Sequence, residues 1–192
     1  MIGLLRPKHG HFRLESGHHG ESWLELDQLF RRPALLRPYV GDLANRISVY
    51  RVDAICGPVT GGALLAGMIA DRLELEFLFA ERRVSERSDL FPVDYRIARA
   101  LREQVRGRRV AIVDDAISAG SAVRATFADL VALGGVPVVI GALMLMGSAG
   151  SRFAADQNIP IERLVSLPFA IWTPADCPMC ARGTPLTEAG SD

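Results

Sequence analysis

Lysine is almost missing from this chain: of its 22 basic residues, Lys8 alone is not an arginine. A mechanism that needs a catalytic lysine has one candidate, and guanidinium groups must do the remaining cationic work. Cysteine is scarce too. Cys56, Cys177 and Cys180 are too few for a disulfide framework and point to a reducing compartment, hence a cytoplasmic location. No long apolar run occurs, since the longest, Val136 to Met146, is broken by Pro137 and Gly141 and is too short to span a bilayer. No secretory leader is expected either. Net charge is absent, with 22 acidic residues against 22 basic ones, so bulk electrostatics makes no case for nucleic acid or an anionic membrane. No basic helix-turn-helix segment is visible to argue otherwise. What is present is a 192-residue chain, 49% apolar, which is enough for one ordinary domain with its own core.

The most informative stretch runs from Arg109 to Ala122. Val110, Ala111, Ile112 and Val113 read as a strand buried on both faces, with Asp114 and Asp115 at its carboxyl end. Ala116 and Ile117 lead into Ser118, Ala119, Gly120, Ser121 and Ala122, a small-residue turn. A helix follows, with Val123, Phe127, Leu130, Val131 and Leu133 on one face. The first-turn amides of that helix lack intrahelical partners and carry the positive end of the dipole, so the turn is a phosphate cradle. Two carboxylates beside it would repel a bare phosphate. They suit hydroxyl groups or Mg2+ on the same ligand, which describes a sugar phosphate. The plain alternative is that Asp-Asp-x-x-Ser merely caps a helix in an ordinary α/β domain.

A second strand, turn and helix precedes it. Val52 to Gly57 is a strand, and Gly57, Pro58, Val59, Thr60, Gly61 and Gly62 turn into a helix carrying Leu64, Leu65, Met68, Ile69 and Leu73. By itself this loop is equally a simple tight turn. Upstream, apolar spacing gives two packing helices, Leu24 to Phe30 and Leu35 to Ile47, divided by Pro33 and Pro38. Glu76 to Ala80 reads as a strand, and residues 82–93 as a polar loop suited to a lid. Ile97, Leu101 and Val105 mark a short helix or turn. Val136 to Met146 is a buried strand followed by a small-residue loop, Gly147 to Gly150, and Leu164 to Leu167 is a last short strand. The fold expected is α/β: a central, mostly parallel sheet, helices on both faces and a small N-terminal hood, with its ligand loops at the strand carboxyl ends. Residues 1–50 form the hood and packing helices, 51–170 the core and 171–192 a tail.

The acidic pair and following loop resemble the signature of the type I phosphoribosyltransferases, and the order of motifs is similar to the orotate phosphoribosyltransferases from Gly10 to Cys180. Gly10 to Gly17 fits that family's Gly-x-Phe-x-Leu-x-Ser-Gly hood, and Phe79 to Arg83 its Phe-Ala-Glu-Arg motif. The tail resembles a Cys-Pro-x-Cys segment of one bacterial branch. The resemblance implies transfer of a 5-phosphoribosyl group from 5-phosphoribosyl-1-diphosphate to a base nitrogen, with Mg2+ as cofactor and a homodimer as assembly. It implies that Asp114 and Asp115 take the ribose hydroxyls and that residues Ala116 to Ala122 take the 5-phosphate. Thr60, Gly61 and Gly62 would take the pyrophosphate, Arg82, Arg83 and Arg87 would assist catalysis, and His18, His19, Ser118 and Arg152 would face the base. Three departures stand out: Ala119 and Ala122 replace loop hydroxyl residues, no lysine follows Arg83, and Arg152 is displaced from the usual arginine. An enzyme for another base, or a sensor that binds without turnover, would also carry them.

Metal ligation by protein side chains alone is not expected from the sequence; Mg2+ would be held by substrate, with Asp114 or Asp115. All four histidines fall between His9 and His19, but their spacing matches no familiar site. Cys177 and Cys180 make one Cys-x-x-Cys, at most half of a zinc site or a redox pair; without a second pair in the chain it reads as a structural turn.

Overall fold

A computed structural model describes residues 7–84 and 90–188. In chain order the elements are β1 (Lys8–Arg13), β2 (His19–Trp23), a 3-10 turn (Leu26–Arg31), α1 (Pro33–Ser48), β3 (Ala54–Pro58), α2 (Gly61–Leu73), β4 (Glu76–Val84) and β5 (Val93–Ile97). A 3-10 segment (Arg99–Val105) leads to β6 (Arg109–Ile117), α3 (Ser121–Ala132), β7 (Val136–Met146), α4 (Ala149–Asp156), β8 (Ile161–Leu167) and β9 (Ile171–Trp172). After a 3-10 turn (Pro174–Asp176) come α5 (Pro178–Ala181) and β10 (Thr187–Glu188). Six strands form the main sheet in the order β5-β4-β3-β6-β7-β8, parallel except for β5, and four form the hood in the order β10-β1-β2-β9.

The apolar run of β6 divides between two cores, as the period of two in a strand requires. Ala111 and Val113 pack under α1 and α2, while Val110 and Ile112 pack under α3 and α4. From β3 the chain moves outward to β4 and then returns to the opposite side of β3 as β6. That reversal opens a crevice between the carboxyl ends of β3 and β6, the usual place for a ligand in an open α/β sheet.

Several elements differ from the sequence expectation. β6 does not stop before the acidic pair but pairs with β7 through Ile117, because backbone pairing is indifferent to the side chains it carries. Pro38 does not divide α1. It removes one hydrogen bond, to the carbonyl of Ala34, and both residues are exposed near the helix start, where that carbonyl is open to solvent. The polar stretch expected as a loop begins inside β4 and ends in β5, a strand missed because Val93 to Ile97 alternates on an edge. The small-residue loop after β7 is short, since α4 already begins at Ala149.

The hood draws on both ends of the described chain. β10 pairs in parallel with β1, and β9 pairs with β2, so the tail lies in one sheet with the N-terminal hairpin.

Candidate active site

The crevice between β3 and β6 is a cleft of about 220 Å³. Asp114, Asp115, Ala116, Ser118, Gly120, Ser121 and Ala122 enter it from one side and Thr60 and Gly61 from the other, so the two loops singled out in the sequence share one space. Their contact is close enough to dictate residue type. A Cβ on Gly61 would stand 2.1 Å from Asp115 Oδ2, and one on Gly62 would stand 2.7 Å from Asp114 Oδ1. Two glycines at the start of α2 are thus needed to admit the two carboxylates. Gly120 precedes α3 at a φ of +78°, a conformation that glycine adopts freely.

Both aspartates are buried, at 8% and 7% exposure. The Asp115 amide donates to Asp114 Oδ1 at 3.1 Å and the Ala116 amide to Asp115 Oδ1 at 2.9 Å, which fixes both carboxyl groups. Burial raises both pKa values above the ordinary carboxylate range, and the neighbouring Asp115 charge raises Asp114 further. These are hard oxygen donors facing a cleft, flanked by the amino ends of α2 and α3. The donor set fits Mg2+, which takes one or two carboxylates and completes its octahedron with water and substrate oxygens.

Ile117 and Ala119 follow different paths from their loop neighbours. Ile117 is buried in the core beneath α3 and α4, where its methyl group would meet a Cβ on Gly150 at 2.5 Å. Ala119 lines a second cavity of about 330 Å³ together with His18, Phe91, Arg124 and Arg152. His18 stacks edge-on against Phe91 at 5.5 Å, and burial lowers its pKa. Arg152 donates to Ser148 Oγ at 2.6 Å. Arg124 lies over the Phe153 ring at 4.4 Å and the Phe91 ring at 5.3 Å, and burial lowers its pKa. Arg124 was not singled out in the sequence, where it is one arginine among many on a helix; the only signal was its place one turn into α3. His18 and Arg152 are brought together there, but His19 is not. Its ring turns under the hood, buried, with Nδ1 3.0 Å from His11 Nε2 and 3.2 Å from Cys180 Sγ, because His19 opens β2 while His18 still belongs to the turn before it.

Strand alternation separates the two arginines of β4. Both are exposed, but Arg82 lies across from Tyr95 in the β4–β5 pairing and lines a groove beside Glu15, whereas Arg83 pairs with Glu81 at 3.0 Å. Glu15 and Tyr95 are further residues that the sequence reading missed. The Tyr95 hydroxyl donates to Glu15 at 3.1 Å, both line the main cleft, and burial raises both pKa values. Nothing in a lone Glu between Leu and Ser, or in a Tyr some eighty residues away, announces that pair. Arg87 lies outside the described residues.

Comparisons with known proteins bear on the family and the fold. The model of the phosphoribosyl transferase domain matches residues 26–160. The chain is 30% identical over 182 residues to an orotate phosphoribosyltransferase of Caldanaerobacter subterraneus subsp. tengcongensis, covering 95% of this chain and 89% of that one. It is 29% identical over 185 residues to the orotate phosphoribosyltransferase of Thermotoga maritima, covering 95% and 90%. Among solved structures, an adenine phosphoribosyltransferase of Thermoanaerobacter pseudethanolicus superposes with a TM-score of 0.68 at 19% identity, over 86% of this chain and 97% of that one. The orotate phosphoribosyltransferase of Aeropyrum pernix does so at 0.64, also at 19% identity, over 86% and 89%. At such identities these two structures speak for the fold.

Proposed function

The chain belongs to the phosphoribosyltransferase family, and from that premise we propose that it transfers 5-phosphoribosyl from 5-phosphoribosyl-1-diphosphate to orotate, releasing pyrophosphate. One observation supports this most: two buried carboxylates and two helix amino ends, from separate loops, share a single cleft. Asp114 and Asp115 hold the ribose hydroxyls. The amides at the start of α3, with Ser118 and Ser121, hold the 5-phosphate, and Thr60, Gly61 and Arg82 hold the pyrophosphate. Gly62 leaves room for Asp114, while Ala116, Ile117 and Ala119 act through backbone and loop shape. No protein nucleophile is required. The work is positioning, with negative charge held next to a ribose ring that becomes oxocarbenium-like and positive charge held where pyrophosphate leaves. Mg2+, held by Asp114 or Asp115 and the substrate, supplies neutralisation of the diphosphate charge.

The acceptor sits in the cavity between the hood and α4. Arg124 and Arg152 both reach it, and two guanidinium groups beside His18 favour a base bearing a carboxylate over a neutral one. The assembly is a homodimer in this reading. Arg83, directed away from its own cleft, belongs to a neighbouring subunit's pyrophosphate site, and Leu64 and Phe77, 47% and 40% exposed on the α2–β4 face, form the contact. Free thiols at all three cysteines suit the cytoplasm, and no described helix is long and apolar enough to cross a membrane.

The test is titration with 5-phosphoribosyl-1-diphosphate and Mg2+, then pyrophosphate release against a panel of bases. Release with orotate and not with adenine, hypoxanthine or uracil is the expected result. Release with a neutral base would move the assignment to another acceptor, and tight binding without release for any base would make the protein a sensor.

A further inference from the structure

Outside the cleft, four metal-ligating side chains meet beneath the hood: His11 on β1, His19 on β2, and Cys177 and Cys180 at the start of α5 and within it. One donor atom from each lies within 4.8 Å of all the others. His11 Nε2 is 3.0 Å from His19 Nδ1, 3.4 Å from Cys177 Sγ and 3.7 Å from Cys180 Sγ, and His19 Nδ1 is 3.2 Å from Cys180 Sγ. A tetrahedron with metal–nitrogen bonds of about 2.0–2.1 Å and metal–sulfur bonds of about 2.3 Å has edges of roughly 3.3–3.8 Å. These four edges fall close to that range, and the other two, from Cys177 to His19 and to Cys180, are within 4.8 Å.

The proton arrangement points the same way. His11 Nδ1 lies 2.8 Å from the Thr184 carbonyl oxygen, which can only accept, so in the neutral ring Nδ1 carries the proton and Nε2 turns a lone pair into the cluster. A carbonyl that fixes the tautomer and aim of an imidazole is the customary outer partner of a metal-bound histidine. His11, His19 and Cys177 are buried at 2–4% exposure, so the donors are shielded from water that would otherwise satisfy them.

We propose that His11, His19, Cys177 and Cys180 bind one Zn2+ in a closed structural site that fastens the tail to the hood hairpin. Two soft thiolates and two imidazoles in a tetrahedron select zinc among common divalent ions, and two thiolates balance its charge. Four protein ligands leave no open position, so the site is structural rather than hydrolytic. Its position gives it a purpose. The ligands lie on or beside the strand pairs β10–β1 and β2–β9, each of which registers over only two residues. Such short ladders are weak by themselves. The β1–β2 turn carries Glu15 and Ser16 into the main cleft and His18 into the second cavity, where Trp172 and Thr173 also stand. The spacing hid the site because its halves lie at opposite ends of the sequence and meet only when the tail folds back.

The decisive experiment uses the untagged full-length chain, purified without chelators. About one zinc per chain is expected by elemental analysis, together with an X-ray absorption fit of two sulfur and two nitrogen neighbours. Replacement by Co2+ should give the intense d–d bands of tetrahedral coordination and a thiolate charge-transfer band. Cys180→Ala, at the most exposed ligand, should lose nearly all bound metal, and metal removal should speed amide exchange in β1 and β2 while leaving β3, β6 and β7 protected. Reduced protein that neither carries nor takes up zinc, a fit without sulfur, or a Cys177–Cys180 disulfide in freshly isolated chain would each overturn the site. Should Cys180→Ala fail to fold, the cobalt spectrum of the unaltered chain decides.

Discussion

In the proposed function Asp114 and Asp115 face opposed demands, since holding hydroxyls and Mg2+ would need them ionised while their place at the crevice keeps them buried. Their folded pKa values lie above the unfolded ones. Between those values the folded chain holds more protons than the unfolded chain, so stability falls as pH rises through the interval. Asp114→Asn with Asp115→Asn removes the burden and keeps both carbonyl acceptors for the Asp115 and Ala116 amides. The double variant should therefore lose transfer yet melt at a higher temperature than the parent at pH 7. The advantage should shrink as pH falls toward the ordinary carboxylate pKa of about 4. Calorimetry across that range checks it, and a lower melting temperature at pH 7 would show that other groups compensate the charges. This pair was legible in the sequence because the strand, acids, cradle and helix are contiguous. Arg124, Glu15 and the true setting of His19 were not, because each takes its meaning from residues distant in the chain.

At the scale of elements, what sequence periodicity reveals is burial, and it fails where burial is one-sided or short. β3, β6 and β7 are buried nearly throughout and were readable; β5, on the sheet edge, and α4, eight residues long, were not. Besides Tyr95 and Ile97 in the core, β5 is held to α3 by one carboxylate. Asp129 on α3, 1% exposed, receives the Ile97 amide at 2.8 Å and the Arg96 guanidinium at 2.9 Å, with Arg102 at 3.7 Å. Asp129→Ala leaves a buried amide without its acceptor and strips the two arginines of their shared anion. A loss of roughly 1–3 kcal/mol is expected, the cost of a buried amide left without its acceptor, because the two arginines are nearly half exposed and Arg96 keeps Asp94 as a partner. Denaturant titration measures it, and a change below about 1 kcal/mol would mean that water readily replaces the carboxylate.

For the whole molecule, the question is how a cleft proposed to take a highly anionic donor gathers enough positive charge from a chain with no net charge and a single lysine. Arg82 lines the groove that shares Leu14, Glu15 and Trp23 with the cleft, while Arg83 is directed to the other face of β4. The proposed pairing of two subunits across α2 and β4 would answer this, because the apolar side chains exposed there, Leu64 and Phe77, are those an interface would cover. Phe77, stacked on Phe79 at 5.7 Å, is the natural anchor. A central aromatic anchor is worth about 2 kcal/mol or more on truncation, so Phe77→Asp should weaken dimerisation by at least roughly thirtyfold. Sedimentation velocity should then find monomers where the parent forms dimers. If Arg83 acts across the interface, transfer should fall in parallel with the dimer fraction as the variant is diluted, whereas a monomer with full activity would confine the whole pyrophosphate site to one chain.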